Sequence, residues 1–480
     1  MITILHISDL HRDTGSRLTT ESLLESLRLD RERYVDAQLR PPELAIVSGD
    51  IVYGVSSNDP CSDATLKSQY EEAHDFLARL ADLFFSGNRE RVVLVPGNHD
   101  VSHPHVLRAT AVEGLPEEEG KRAVLARQLA AEGTPWRWVW ADFSLRRVVD
   151  QDMYSRRMEP FANFYNAFYE GRRSFSLNPA DQFTLHDYQD LGIVVVGLSS
   201  CYENDLFNRS GRIHPDCVAG ATRSVAGHIR QGRVPIVVWH HNLAGGPKDS
   251  DYVDAEFLQS LIDGGFVLGL HGHQHQPQFL EHRLTADRKR ALAIISAGTL
   301  CGGPNSLPAG RRRAYNLVTI SPENRSGVLN VREMKNDGFS LPVWGDAYVP
   351  EFGGATITFE LSMRPRAEFS IQAAGEAMEL LRKGDANGAL AHVRPHADDQ
   401  LARRVAVEAF LQLQDWRGVR EFCNPPQSNT EIVALCEALY QLGDKIALRD
   451  FVHSEAVAQS TDAAVRQCIE LAHGRLGGSR

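Results

Sequence analysis

None of the seven cysteines stands in a CxxC pair, and their number is odd. Cys61, Cys201, Cys217, Cys301, Cys423, Cys436 and Cys468 are scattered along the chain. That spacing speaks against a zinc finger or a disulfide framework and for a reducing compartment. No apolar run reaches the roughly 20 residues of a membrane-spanning helix. The opening MITILHISDLH also lacks the basic start and long apolar core of a secretory leader. A cytoplasmic protein with no membrane partner is expected. Positive charge is not in excess either. The formal net charge of −11 argues against a surface coated in nucleic acid, while leaving room for a local basic groove. The 480 residues suffice for two or three domains and a large core.

Up to about Pro365 the chain alternates short apolar runs with amphipathic stretches. ITILHIS, LAIVSGD, RVVLVPG, GIVVVGLSS, VPIVVWHH and FVLGLHG read as buried strands, each ending at polar residues or glycine. Ser22 to Leu39 and Ser68 to Phe85 read as helices between them. The expected fold class is a layered α/β domain, and such sheets place ligands at the C-terminal ends of their strands. Val106 to Phe183 breaks the rhythm, with no buried-strand run, and is expected to be a helical insertion. Its arginines and aromatics either line a nucleotide or nucleic-acid groove or pack on the main domain. From about Ala367 the chain turns almost purely helical. EAMELLRKGDANGAL, EAFLQLQDWRGV and EALYQLGDKIAL recur, each turning at an aspartate: Asp385, Asp415 and Asp444. This is the pattern of stacked helical hairpins. It resembles tetratricopeptide-type repeats, with a shorter period and little of their Trp/Tyr/Pro consensus. Such arrays bind a protein partner or self-associate; the plainer alternative is a small helical bundle.

The strand ends carry the chemistry. The first gives Asp9 and His11, the second Asp50, and the third Asn98, His99 and Asp100. A later strand ends in His240 and His241, and the last in His271, His273 and His275. Each alone has a plain explanation: VPGNHD is good turn chemistry, a lone Asp caps a helix, and a lone His is a surface or satisfied core residue. Five such strand ends in one domain point instead to a two-metal site. Imidazole, carboxylate and amide donors without thiolate suit Mn, Fe or Zn. Asp-x-His and His-x-His would place paired ligands on one side of an extended strand. A carboxylate can bridge two ions about 3.5–4 Å apart that clamp a phosphate for in-line attack.

The motifs D-x-H, G-D, G-N-H-D, H and G-H-x-H, in this order over roughly residues 1–320, resemble the calcineurin-like metallophosphoesterase superfamily. The resemblance implies a β-sandwich core flanked by helices, here residues 1–364 with the insertion at about 106–183, followed by a helical-repeat domain at 365–480. It implies that Asp9, His11 and His275 hold one divalent ion, that Asp50 bridges, and that Asn98, His240 and His273 hold the second. Mn²⁺ is the expected metal, with Fe or Zn as alternatives. His99 would act beside the leaving-group oxygen. Asp100 is grouped with it in the catalytic loop, with orientation of that loop as its simpler role. His241 competes with His240, because Asn242 stands where the family shows proline. His271 reads as a packing residue, and His103 and His105 as loop surface.

Three substrate classes are open. Protein phosphatases of this superfamily read GD-x-V-D-R-G, whereas this chain reads GDIVYG, with Tyr53 and Gly54 in place of the Asp and Arg. VPGNHD looks like the nuclease and cyclic-nucleotide branches. The insertion, with Arg146, Arg147, Arg156 and Arg157, and the clusters Arg288 to Arg290 and Arg311 to Arg313 favour a nuclease. A cyclic- or small-nucleotide phosphodiesterase is the alternative. A non-catalytic scaffold with a relict metal site is the reading from a different class. By analogy, a nuclease of this architecture would serve bacterial defence or DNA repair, with an ATPase or helicase as protein partner.

Overall fold

The computed structural model describes residues 1–16, 18–56, 59, 61–129, 131–140, 142–243, 252–253, 256–303, 307–336, 341–363, 366–397 and 399–477. The chain divides into two compact units, with the break after Met363.

All six apolar runs form strands: β1 (Ile2–Ile7), β2 (Leu44–Ser48), β3 (Val92–Val95), β8 (Ile193–Leu198), β9 (Val234–Val238) and β10 (Leu268–His271). Each is mainly apolar because both of its faces are covered; Thr3, His6, Ser48 and His271 are buried polar exceptions. In β2, Leu44 and Ile46 belong to one core while Ala45 and Val47 belong to another. In β8, Ile193 and Val195 face the first of these cores, and Val194 and Val196 face a third. The period-two alternation of side chains thus sorts an unbroken hydrophobic run into two cores. Burying such a side chain stabilises by about 1.5–3 kcal/mol. A one-residue slip would misplace every one of them.

The first sheet also contains β13 (Ala314–Ser321), β14 (Ser326–Met334), β15 (Trp344–Asp346) and β16 (Thr356–Glu360). Its order is β15–β14–β13–β1–β2–β3, with β16 also on β14. The second contains β7 (Phe183–Tyr188), β11 (Gln278–Arg283) and β12 (Ala291–Ser296), in the order β11–β12–β10–β9–β8–β7. β1, β2 and β3 are mutually parallel, as are β8, β9, β10 and β12. The inner faces meet in a core that includes Ile4, Ile46, Val93, Ile236, Leu268 and Ile295. Helices α1 (Thr20–Glu32) and α2 (Ser62–Phe85) cover the outside of the first sheet through Leu27, Phe76 and Leu80. Helices α7 (Pro215–Arg230) and α8 (Glu256–Asp263) cover the second through Ala221, Val225 and Leu261. The unit is a β-sandwich flanked by helices.

The insertion differs from expectation. It holds α3 (His103–Ala109), α4 (Glu119–Leu129), α5 (Gln151–Ser155) and α6 (Glu159–Phe168), and also a three-stranded antiparallel sheet. That sheet comprises β4 (Thr110–Glu113), β5 (Trp136–Val139) and β6 (Ser144–Val148). These strands have four or five residues each and are only partly buried, so no continuous apolar run marks them. Cross-strand pairs hold them instead, such as Arg147 stacked over Trp136 at 5.7 Å. The aromatics divide. Phe161, Phe164, Tyr165 and Phe168 of α6 are core residues, whereas Trp140 and Phe143 are 75% and 69% exposed.

The second unit is all helical, from α9 (Arg366–Arg382) through α10 (Ala386–Val393), α11 (Gln400–Leu413), α12 (Trp416–Phe422), α13 (Asn429–Gln441), α14 (Lys445–Val452) and α15 (Glu455–Ala458) to α16 (Ala463–Gly477). Asp385, Asp415 and Asp444 are the N-caps of α10, α12 and α14. Each carboxylate accepts from the backbone N–H three residues on, at 2.8, 3.0 and 3.0 Å. Three aspartates perform one local task at near-equal spacing, with each cap worth about 1 kcal/mol. The unit has its own core, including Leu390, Val405, Phe410, Leu435 and Leu448.

Since each unit has its own core, a chain ending at Met363 is expected to fold cooperatively and retain its metal. Thermal melting and metal analysis of the truncated protein check this. An insoluble or metal-free product would show that the helical unit completes the first.

Candidate metal centre

Parallel strands from both sheets end at one edge, and the following loops carry the donors. Backbone bonds join these loops: Asp9 N–H donates to Gly49 O at 3.1 Å and His11 N–H to Asp50 O at 3.0 Å. Side chains add more: His99 N–H donates to Asp50 Oδ1 at 2.9 Å, His273 N–H to Asp9 Oδ2 at 3.1 Å, and His240 Nδ1 lies 2.8 Å from Ser48 O.

The paired ligands do not share a side of an extended strand, because β1 stops at Ile7 and β10 at His271. Asp9, His11, Asp50, His273 and His275 lie beyond the strands with φ of +52°, +43°, +51°, +79° and +55°. A non-glycine residue in this region costs of order 1–3 kcal/mol and persists only when its surroundings impose it. Here the interloop bonds do so, turning consecutive side chains toward one point. Gly97 serves the same end by close approach: a Cβ there would lie 2.2 Å from Asp50 Oδ1.

Two groups of donors result. In one, Asp9 Oδ1 lies 3.1 Å from His275 Nε2, and His11 Nε2 lies 3.2 Å from His275 Nε2. In the other, Asn98 Oδ1 lies 3.1 Å from His240 Nε2 and 3.0 Å from His273 Nδ1, with 3.3 Å between those nitrogens. Asp50 stands between them, with Oδ1 3.3 Å from His240 Nε2 and Oδ2 3.9 Å from His11 Nε2. Metal bonds of about 2.0–2.2 Å place adjacent donors about 3–3.5 Å apart, so both groups fit a divalent ion. Asp9 Oδ1 is buried, with the imidazole nitrogens of His275 and His11 beside it at 3.1 and 4.0 Å. Two imidazole nitrogens facing each other at 3.2 Å suit a shared cation. An oxygen and nitrogen donor set accommodates Mn, Fe or Zn without selecting among them.

The electrostatics agree. Burial pushes Asp9 and Asp50 upward, but the imidazoles of His275 around the first and of His240 and His99 around the second hold both well below the usual carboxylate range. Burial opposes charge on His240, yet the Asp50 carboxylate raises its pKa to about 9. His11 falls to about 4, mainly through burial, and is a neutral donor at physiological pH.

The other candidates separate. His240 joins the second group. His241 points away, with Nδ1 2.8 Å from Ser200 Oγ and Nε2 3.3 Å from Asn204. His271 stacks on Trp239 at 5.4 Å. Asp100 does not reach the reacting surface: it is fully buried, and Oδ2 accepts from Gly97 N–H at 2.8 Å and Ile51 N–H at 3.1 Å. It orients the loops, as VPGNHD turn chemistry suggests, and is not a catalytic group. Arg157 is also a correction. It is 3% exposed and donates to the carbonyls of Cys201 and Tyr202 at 3.3 and 2.5 Å, which makes it part of the packing. Arg156 pairs with Glu159, and Arg147 with Glu113; the Arg146 guanidinium lies over Phe207 at 4.9 Å. None of the four adjoins the metal donors in these contacts. Residues that motif reading missed are Ser200, at the end of β8, and Gln69, a buried amide on the apolar face of α2. A polar residue interrupting that face was the available signal.

Residues 2–277 match the family described as Calcineurin-like phosphoesterase. No curated protein matches. Among solved structures, a dimetal phosphatase from Danio rerio aligns at 12% identity over 69% of this chain and 96% of that one, with a TM-score of 0.35. The calcineurin-like phosphoesterase YfkN of Bacillus subtilis aligns at 11% identity over 79% and 98%, with a TM-score of 0.27. Vps29 of Chaetomium thermophilum aligns at 10% identity over 75% and 100%, with a TM-score of 0.23.

Two outcomes are expected of the metal-binding chain. Asp50→Ala is expected to lose more metal than any other single ligand substitution, since Asp50 faces both groups. Full occupancy by two ions in that variant, measured by elemental analysis, would exclude the bridging role. The second concerns pH. A proton on His240 with a pKa of about 9 must leave before the nitrogen can bind. Affinity should therefore rise about tenfold per pH unit up to about pH 9, with about one proton released per ion bound in that group. Calorimetry in buffers of different ionisation enthalpy reads the proton count; none released would remove His240 from the ligand set.

Proposed function

The chain belongs to the calcineurin-like phosphoesterase family, a family of metal-dependent phosphoesterases, and from that premise we propose that it is a two-metal phosphodiesterase acting on nucleic acid. The observation that carries the two-metal reading is the Asp50 carboxylate, which offers Oδ1 to the His240 side and Oδ2 to the His11 side. Bound divalent ions would neutralise phosphate charge and lower the pKa of an attacking water. The protein supplies the rest. Asp9, His11 and His275 on one side, and Asn98, His240 and His273 on the other, fix where a phosphate can lie.

His99 is partly exposed where the ligand carboxylates are buried, so it meets the substrate. Its Nδ1 lies 2.5 Å from the Tyr53 carbonyl. A carbonyl only accepts, so Nδ1 carries the hydrogen and Nε2 faces the space beside Asp50 Oδ2, 4.0 Å away. From there Nε2 exchanges a proton with the leaving oxygen. The Tyr53 main chain thus orients His99 in a chain that lacks the Asp and Arg of the protein-phosphatase motif.

Nucleic acid is favoured by Arg146 on β6, on the hairpin that carries Trp136 and Trp138, and by the exposed Trp140 and Phe143 at the end of the same hairpin. Cations and aromatic faces together suit single strands. The ion pairs of Arg147 and Arg156 and the burial of Arg157 favour a second reading, a diester of a small nucleotide. A protein partner for the helical unit remains part of the proposal, on its repeated helical hairpins alone.

The test is a panel of single- and double-stranded DNA, RNA, cyclic nucleotides and a nitrophenyl diester, with Mn²⁺-loaded parent and His99→Ala proteins. DNA or RNA is expected to be cut fastest by the parent. His99→Ala should keep its metal and lose about 10²- to 10⁴-fold in rate, less on the nitrophenyl ester, whose leaving group needs little protonation. Cyclic nucleotides turned over far faster than any polymer would replace the nuclease reading with the second one.

A further inference from the structure

We propose that Tyr53 is the wall against which the leaving group of the substrate lies, so that the site selects phosphodiesters with a nucleobase or other planar ring on the departing side. This rests on the phosphodiesterase reading and extends it to specificity. Tyr53 is 58% exposed although it stands beside the most buried chemistry of the molecule. Its ring centroid lies 6.0 Å from that of His99 and 6.2 Å from that of His11. His99 serves the departing oxygen, so whatever that oxygen carries emerges beside the Tyr53 ring.

The root of this side chain is fixed on both sides. Tyr53 N–H donates to Arg12 O at 3.2 Å, and its carbonyl holds His99 Nδ1. The next residue, Gly54, is clamped by buried Gln69, whose Oε1 accepts from Gly54 N–H at 3.0 Å and whose Nε2 donates to Gly54 O at 3.1 Å. Gly54 has φ of +80°, and a Cβ there would lie 3.1 Å from His99 O, so the loop passes close to the catalytic turn. A large ring exposed on a fixed backbone has only its own two torsions to lose on binding. Tyrosines at recognition surfaces gain from this economy. Base-on-aromatic stacking is tolerant of sequence, which suits a site that recognises the presence of a ring and not its identity.

The test is steady-state hydrolysis of a dinucleotide by the full-length Mn²⁺-loaded protein, with inorganic phosphate as competitive inhibitor. Tyr53→Ala is expected to raise KM for the dinucleotide about tenfold, while metal content and the Ki of phosphate stay within about twofold. Tyr53→Phe and Tyr53→Trp should stay within about twofold of the parent KM, since the ring face is what binds. An unchanged KM in Tyr53→Ala overturns the proposal, as does a loss in Tyr53→Phe equal to that in Tyr53→Ala. A parallel rise in KM and phosphate Ki also overturns it, because Tyr53 would then be a prop of the metal centre. A parent protein that holds both ions yet cleaves no phosphodiester removes the underlying reading and this one with it. A parent that cleaves the dinucleotide leaves the underlying reading standing whatever Tyr53 does.

Discussion

The Asp50 carboxylate is the group on which the rest of the catalytic unit depends. It is 2% exposed and has left-handed backbone geometry. It lies between His240 and His11 while also accepting the His99 N–H. Such a group cannot be held by one segment of chain. It needs β2 to deliver it, β3 and its glycine turn to approach within bonding distance, and the second sheet to bring His240 across from the other layer. The double core of the sandwich meets this demand. Every strand that ends at the site is packed on both faces, so the strand ends have little freedom to drift apart.

This placement brings an electrostatic cost that explains the neighbours. Asp9 and Asp50 are buried carboxylates at one end of the sandwich, and Asp100 lies close by. The first two are kept charged by imidazoles. Asp100 goes the other way: burial, then the Asp50 charge, pushes it up to about 7, and the amides of Gly97 and Ile51 hold it in place. Three carboxyl groups of similar sequence context thus take two different roles, set by what surrounds each one. The Asp50 carboxylate favours a proton on His240 against the effect of burial. A divalent ion would take over that proton's place beside Asp50, the physical basis for coupling metal binding to proton release.

Much of this was legible in the sequence, for a definite reason. A strand buried on both faces must be continuously apolar, so the six runs and their polar ends stood out, and the ends named the donors from Asp9 to His275. The turns at Asp385, Asp415 and Asp444 were equally readable, because a turn is local; that each carboxylate caps the next helix through the amide three residues on came from the structure. What was not legible depends on long-range contact. The left-handed conformations of Asp9, His11 and His273 are imposed by bonds between loops distant in sequence, so an argument from strand alternation gave these residues a geometry that the structure does not have. β4, β5 and β6 escaped notice because cross-strand pairing, not an apolar run, defines them. Arg157 looked like a surface cation, since sequence does not reveal that main-chain carbonyls enclose it.

That last distinction bears on substrate. Counting arginines in the insertion overstates the positive charge offered to a polymer, because Arg137 is buried and paired with Asp205 at 2.7 Å, Arg157 is enclosed by main-chain carbonyls, and Arg147 and Arg156 are matched by glutamates. An arginine already bonded to a carboxylate releases few counterions on meeting a phosphate. If a polymer is the substrate, its affinity must come in larger measure from aromatic faces: Tyr53 at the centre, and Trp140 and Phe143 on the hairpin of the insertion. Binding of that kind depends weakly on salt and on base identity, and strongly on whether the bases are unpaired. On the proposed nucleic-acid reading, this charge pairing therefore favours a single strand, or a nucleotide no longer than the site, over a duplex gripped by its backbone.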